Sequence, residues 1–99
     1  MGDVLLISLT GPDRPGITTR ITGVLAGCGA QILDVAQSSI HDHLSLGMMV
    51  ALPPERHGEA IKETLFAAHA LGIQARFEPI DAGRYEAWVA GQEIGRAHV

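Results

Sequence analysis

Gly11-Pro12-Asp13-Arg14-Pro15-Gly16-Ile17 separates two stretches of different periodicity, and its reading decides the fold. Ahead of it, Val4-Leu5-Leu6-Ile7-Ser8-Leu9 is short, branched and aliphatic, the composition of a buried strand. Behind it, Ile17, Ile21, Val24, Leu25 and Cys28 recur at helical spacing, with Thr18, Arg20 and Thr22 off that stripe. Pro15 suits the first helical position, where a missing N–H would be unpaired anyway. Gly29 is placed to close the helix with a positive φ. The stretch therefore predicts a strand, a tight loop from Gly11 to Gly16, and an amphipathic helix.

The rest of the chain extends this pattern. Residues Ala30 to Ile40 carry Ile32, Leu33, Val35 and Ile40 among polar residues. That weak alternation predicts a strand at an edge or with contacts on both faces. His41-Asp42-His43 reads as a turn. Leu44, Leu46, Met48, Val50 and Leu52 then alternate with Ser45, Gly47, Met49 and Ala51, giving a third strand that Pro53-Pro54 stops. Met48 and Met49 fall on opposite faces of it. Ile61, Leu65, Ala68 and Leu71 mark a second amphipathic helix capped by Gly72. Ile73, Ala75 and Phe77 alternate with Gln74, Arg76 and Glu78 in a fourth strand that ends at Pro79.

The order is β-α-β-β-α-β over residues 3 to 79. It predicts an α+β, ferredoxin-like fold, a four-stranded antiparallel sheet with both helices on one face. Residues 1–80 make one domain in this reading. Residues 81–99 make a short helix and a connector toward a following module, with Asp81 as a cap and Tyr85, Trp88 and Val89 on one side.

Composition narrows the classes of function. At 99 residues, 46% hydrophobic and 18% charged, the chain has the means to build one packed core. A net charge of -4 argues against a nucleic-acid surface. No apolar run approaches the roughly 20 residues a membrane helix requires. The start has no basic region ahead of its apolar run, and the single cysteine precludes an internal disulfide, so a cytoplasmic setting is expected. So small a chain seldom encloses a deep pocket, which places any ligand at the surface or between subunits.

The loop is the strongest candidate for chemistry. Its glycines allow backbone to approach a ligand, and the first N–H groups of the helix favour a carboxylate or phosphate. Asp13 fits either of two roles: capping the helix, or accepting hydrogen bonds from an ammonium group. An anion site beside a carboxylate is the minimal description of a site for a free amino acid.

Asp13-Arg14-Pro15-Gly16-Ile17, then Ile21, then Val24-Leu25-Ala26-Gly27-Cys28-Gly29-Ala30-Gln31-Ile32 resembles the ACT domain, a family of small regulatory modules that bind amino acids, usually as pairs. The likeness spans about residues 3 to 79. Gly29-Ala30-Gln31-Ile32-Leu33-Asp34-Val35, Gln37, Ile40-His41-Asp42 and Leu44-Ser45-Leu46-Gly47 further resemble the N-terminal regulatory region of bacterial phosphoserine phosphatases, as do Phe77-Glu78-Pro79 and Tyr85-Glu86-Ala87-Trp88-Val89. The resemblance implies a ligand such as serine or glycine at a domain–domain interface, held by Gly11, Asp13, Pro15, Gly16 and Ile17 and by Gln31 of a neighbouring domain or second copy. Gln31 stands where serine-binding relatives commonly carry asparagine. The resemblance also implies that this chain is non-catalytic and holds no cofactor, with magnesium confined to a phosphatase domain beyond it.

Rival readings attach to other residues. His41 and His43 suggest a metal corner, but a closed zinc site needs more ligands. Cys28 falls on the helix stripe, which marks it as a core residue rather than a nucleophile. Arg14 stands in the region where small acyl phosphatases of the same strand order place an arginine. Acidic residues in a D-x-D-x-T/S run, the mark of haloacid dehalogenase chemistry, do not occur in this sequence. A stand-alone ACT regulator and a dimerisation-only module are the non-enzymatic alternatives.

Overall fold

The computed structural model describes residues 3–80. Strand β1 (Asp3–Pro12) leads into helix α1 (Ile17–Gly27), strands β2 (Gln31–Ile40) and β3 (His43–Leu52), helix α2 (His57–Leu71) and strand β4 (Gln74–Ile80). A short 3-10 turn, Pro54–Arg56, stands before α2. The four strands form one antiparallel sheet in the order β2-β3-β1-β4. This is the ferredoxin-like arrangement that the periodicities predict.

The register decides which side chains meet the helices. Leu5, Ile7 and Leu9 of β1 stand opposite Val50, Met48 and Leu46 of β3. These residues form one cluster with Ile17, Ile21, Leu25 and Cys28 of α1 and with Ala60, Ala67 and Ala68 of α2. Full burial of each large aliphatic side chain contributes about 1.5–3 kcal/mol. Met48 belongs to this core, whereas Met49 packs with Val4 and Ile80 on the other face. Gly29 and Gly72 take the left-handed conformation after the two helices, as their places in the sequence predict.

Four expectations shift in detail. β1 takes in the Gly11-Pro12 step at which it was expected to end: these residues pair with Leu44 and His43, so the loop shrinks to Asp13–Gly16. Proline at the end of a strand loses no ladder bond that the sheet needs. For the same reason Pro79 stays within β4, an edge strand, opposite Leu5. Pro15 precedes the helix cap Gly16 instead of opening the helix. The face of α2 differs from the one read at one position: Ala68 is buried and Ile61 and Leu71 pack against the core, but Leu65 is 46% exposed and Ala60, Thr64 and Ala67 are buried beside Ala68. Small residues let α2 lie close to its neighbours, and that fit outweighs the greater hydrophobicity of leucine.

Gly11 shows how tightly the chain closes near the loop. A Cβ there would stand 2.8 Å from Ile73 Cγ2 and 3.0 Å from Ile73 Cα. The second contact is backbone, so a side-chain rotation at Ile73 cannot relieve it. Gly11→Ala should lower unfolding stability by about 1–3 kcal/mol in denaturant titration, as overpacking does. A neutral substitution would show that β1 and Ile73 separate freely.

Cys28 is 3% exposed, and burial pushes its thiol above the ordinary range, with the Glu59 carboxylate adding to the shift. Thiolate is the reactive form, so both effects slow its chemistry. In native buffer near pH 8, Cys28 should alkylate many-fold more slowly than free cysteine and reach the free rate in denaturant. Fast labelling of the native chain would contradict this placement.

Candidate functional site

The loop between β1 and α1 is fastened on two sides. The Asp13 N–H donates to the Asp42 carbonyl at 2.7 Å, tying the loop to the β2–β3 turn. Gly16 takes φ 84°, a left-handed turn that glycine adopts without steric cost, and opens α1 as its cap residue. Its carbonyl accepts the Arg20 N–H at 2.9 Å, the first bond of the helix. No side chain caps this terminus, and its first turn carries no acidic residue. The N–H groups at the start of α1 therefore present the positive end of the helix dipole without a charged partner.

A groove of about 490 Å³ opens at this terminus. Residues 13–19 make one wall, Gln37 of β2 makes the other, and Leu44 of β3 contributes from the core side. Ser39 Oγ donates to Asp13 Oδ2 at 2.9 Å, which holds the carboxylate at the groove. Thr18 Oγ1 donates to Gln37 Oε1 at 2.8 Å, joining the first turn of α1 to the edge strand. The groove thus sets a fixed carboxylate beside a bare helix N-terminus. That pairing suits a small zwitterion, with an ammonium group toward Asp13 and a carboxylate toward the helix.

The structure brings Asp13, Pro15, Gly16 and Ile17 to one groove and leaves two other candidates elsewhere. Gly11 lies inside β1 against Ile73. Gln31 pairs with Ala51 at the start of β2, whereas the loop adjoins the His43 end of the sheet. Gln31 of this chain therefore does not meet its own loop. Asp13 makes no capping bond to α1. Arg14 lines the groove and also reaches Gly72, its guanidinium within 4 Å of where a Cβ on that residue would stand. Its positive charge there faces the carbonyl end of α2.

Thr18 and Gln37 line the groove and Ser39 holds Asp13 at it; none of the three was among the candidate residues. For two of them the signal lies in the sheet register. Gln37 and Ser39 stand opposite Leu46 and Leu44, on the helix-facing side of β2. Both are exposed, and their polar partners are the Thr18 hydroxyl and the Asp13 carboxylate. Among the described residues no three His, Cys, Asp or Glu side chains converge to hold a metal ion. No described helix is long and apolar enough to cross a membrane.

The chain is 37% identical over 79 residues to the phosphoserine phosphatase SerB2 of Mycobacterium tuberculosis, covering 78% of this chain but only 19% of that enzyme. It is 29% identical over 82 residues to a UPF0237 protein of Methanosarcina mazei, of which it covers 89%. Among solved structures, an ACT domain protein from Streptococcus pneumoniae superposes with a TM-score of 0.70 at 18% identity, over 80% of this chain and 91% of that one. The regulatory subunit of aspartate kinase from Thermus thermophilus gives 0.65 at 22% identity, over 79% of this chain and 52% of that one. These two likenesses are of fold. The sequence profile of the ACT domain matches residues 3–78, the same span that builds the sheet, both helices and the groove, and the chain belongs to the ACT-domain family.

Proposed function

We propose that this ACT domain is a regulatory module that binds a small amino acid, serine or glycine, in the groove at the start of α1. One observation carries the reading: the uncapped helix terminus and the Ser39-held carboxylate of Asp13 share one groove. The ligand carboxylate would accept from N–H groups at the start of α1, and its ammonium would donate to Asp13. Binding both ends of the zwitterion selects an α-amino acid over a simple anion or amine.

The groove is open, so a second module would close it. Gln31 of that module, exposed at the start of its own β2, would supply the remaining polar contact. Binding is then coupled to association, and regulation needs only a difference in affinity between two arrangements, typically about 1–3 kcal/mol. The similarity to SerB2 supports a place in the regulatory region of a phosphoserine phosphatase in serine biosynthesis. In that setting the chain itself is non-catalytic and takes no cofactor, and magnesium serves the phosphatase domain alone. The near-complete coverage of the Methanosarcina protein favours a second reading, a stand-alone ACT regulator of amino-acid metabolism.

Titration calorimetry with L-serine, glycine and a panel of other amino acids tests the binding reading. At a hundredfold excess over Kd a ligand adds about 2.7 kcal/mol of stability, so a clear rise in Tm should accompany the heat. Asp13→Ala should abolish both signals with the circular dichroism spectrum unchanged, because Asp13 is exposed. No response to any amino acid would leave dimerisation as the module's role.

Ser39→Ala separates a positioned carboxylate from a merely nearby one. Loss of the hydrogen bond to Asp13 costs about 1 kcal/mol, so affinity should fall about fivefold. Unchanged affinity would mean that Asp13 needs no orienting partner.

A further inference from the structure

Arg14 stands at the junction of the groove and the end of α2. It lines the groove beside Asp13, and these two are the charged side chains among the described lining residues. Its guanidinium atoms lie 3.7–3.9 Å from where a Cβ on Gly72 would stand. Asp13 is engaged by Ser39, whereas Arg14 makes no ion pair and no side-chain hydrogen bond among the described residues. A guanidinium carries several donors in a planar fork that matches a carboxylate. Arg14 therefore has two acceptors within reach, the carbonyl end of α2 and an anion that enters the groove.

The end of α2 is a tight turn. The Gly72 N–H donates to the His69 carbonyl at 3.1 Å and the Ile73 N–H to the Ala68 carbonyl at 3.0 Å, with Gly72 left-handed at φ 73°. The last carbonyls of a helix carry the negative end of its dipole, roughly half an elementary charge. Arg14 sits over that end and opposes this charge. Ile73 in turn lies against Gly11 at the end of β1, where a Cβ would meet it at 2.8 Å. β4 begins at the next residue, Gln74. The groove loop and the last turn of α2 are thus joined twice, by the Gly11–Ile73 contact and by Arg14.

A ligand carboxylate competes for the same guanidinium with a whole charge and two oxygens, a better match than the helix end. Arg14 is exposed, so its long side chain has room to turn from one acceptor to the other. We propose that Arg14 is shared between the two. In the free chain it covers the end of α2. With ligand bound it donates to the ligand carboxylate, beside the N–H groups of α1, and leaves the last turn of α2 uncovered. Arg14 is then a ligand contact in its own right, and the last turn of α2 and the start of β4 are the part of the fold that responds to ligand. The two positions of this one side chain are the two states that such coupling requires. The inference rests on the amino-acid reading of the groove.

Amide hydrogen exchange of the 99-residue protein, with and without L-serine or glycine, reads both positions of Arg14. Saturating amino acid should slow exchange at residues 16–19 and raise it several-fold at Gly72 and Ile73. Arg14→Gln should raise exchange at Gly72 and Ile73 before any ligand is added, and ligand should then raise it no further. Its affinity by calorimetry should be about tenfold weaker, the loss of one charge-assisted hydrogen bond. If Arg14→Gln fails to fold, Arg14→Lys, which keeps the charge without the planar fork, should show the same changes in weaker form. Wild-type binding with Gly72 and Ile73 unmoved, or a variant that binds at wild-type affinity, would overturn the sharing of Arg14 and leave the amino-acid reading standing. No binding of either amino acid to the wild-type chain would overturn both.

Discussion

Strand β1 is the constraint on which the rest of the structure depends. It lies between β3 and β4 and is hydrogen-bonded to both. Its alternate side chains are therefore committed to two different faces. Leu5, Ile7 and Leu9 enter the core under the helices, while Val4, Leu6, Ser8 and Thr10 face the other way. A shift of one residue in this register would exchange the two sets and expose the core. The same strand delivers the loop: its last residues, Gly11 and Pro12, are held against β3 and Ile73, so Asp13 begins from a fixed point.

The loop then gives up a stabilising device. A side-chain cap at the start of a helix is typically worth about 1 kcal/mol, and α1 has a glycine there instead. Asp13 stands three residues before the cap Gly16 and could have filled that role from nearby. It is instead turned to Ser39 of the edge strand. The polar groups at the helix start stay available to something outside the chain, as expected where a site is built at some expense of stability. Among the described residues β2 pairs with β3 alone, so the groove's second wall is an edge strand of the described sheet. A partner that pairs with this edge would also reach the groove.

Most of the fold was legible because its signals are local. The alternation from Leu44 to Leu52 and the stripe from Ile17 to Cys28 each depend on one element meeting one core. The facing of α2 was legible at Ile61, Ala68 and Leu71 but not at Leu65, because the rest depends on how closely that helix approaches its neighbours. Ala60, Thr64 and Ala67 are buried for their size, and no count of hydrophobicity favours them over Leu65 and Phe66. β1 and β4 run through the prolines that punctuate them in the sequence, because a strand end or an edge tolerates both proline and glycine. The loop side of the groove could be read from Asp13 to Ile17. Its other wall could not, since Gln37 and Ser39 gain meaning only once the sheet register sets them opposite Leu46 and Leu44. The readings of residues 81–99 as a helix and connector lie outside the described residues.

An open groove and a chain that spans about a fifth of its phosphatase relative belong together physically. A domain of this size can fix one half of a ligand's contacts and leave the other half to a partner, which makes binding and association one equilibrium. The central claim is that the start of α1 and Asp13 hold the two charged ends of one amino acid. Amide NMR of the isotope-labelled chain titrated with L-serine tests it most directly. The largest shifts are expected at the backbone amides of Asp13, Arg14 and residues 16–19 and at the Gln37 side-chain amide, with the buried amides of β1 and β3 nearly still. Shifts centred on the helix-free face or on α2, with the amides of Asp13, Arg14 and residues 16–19 unmoved, would contradict it.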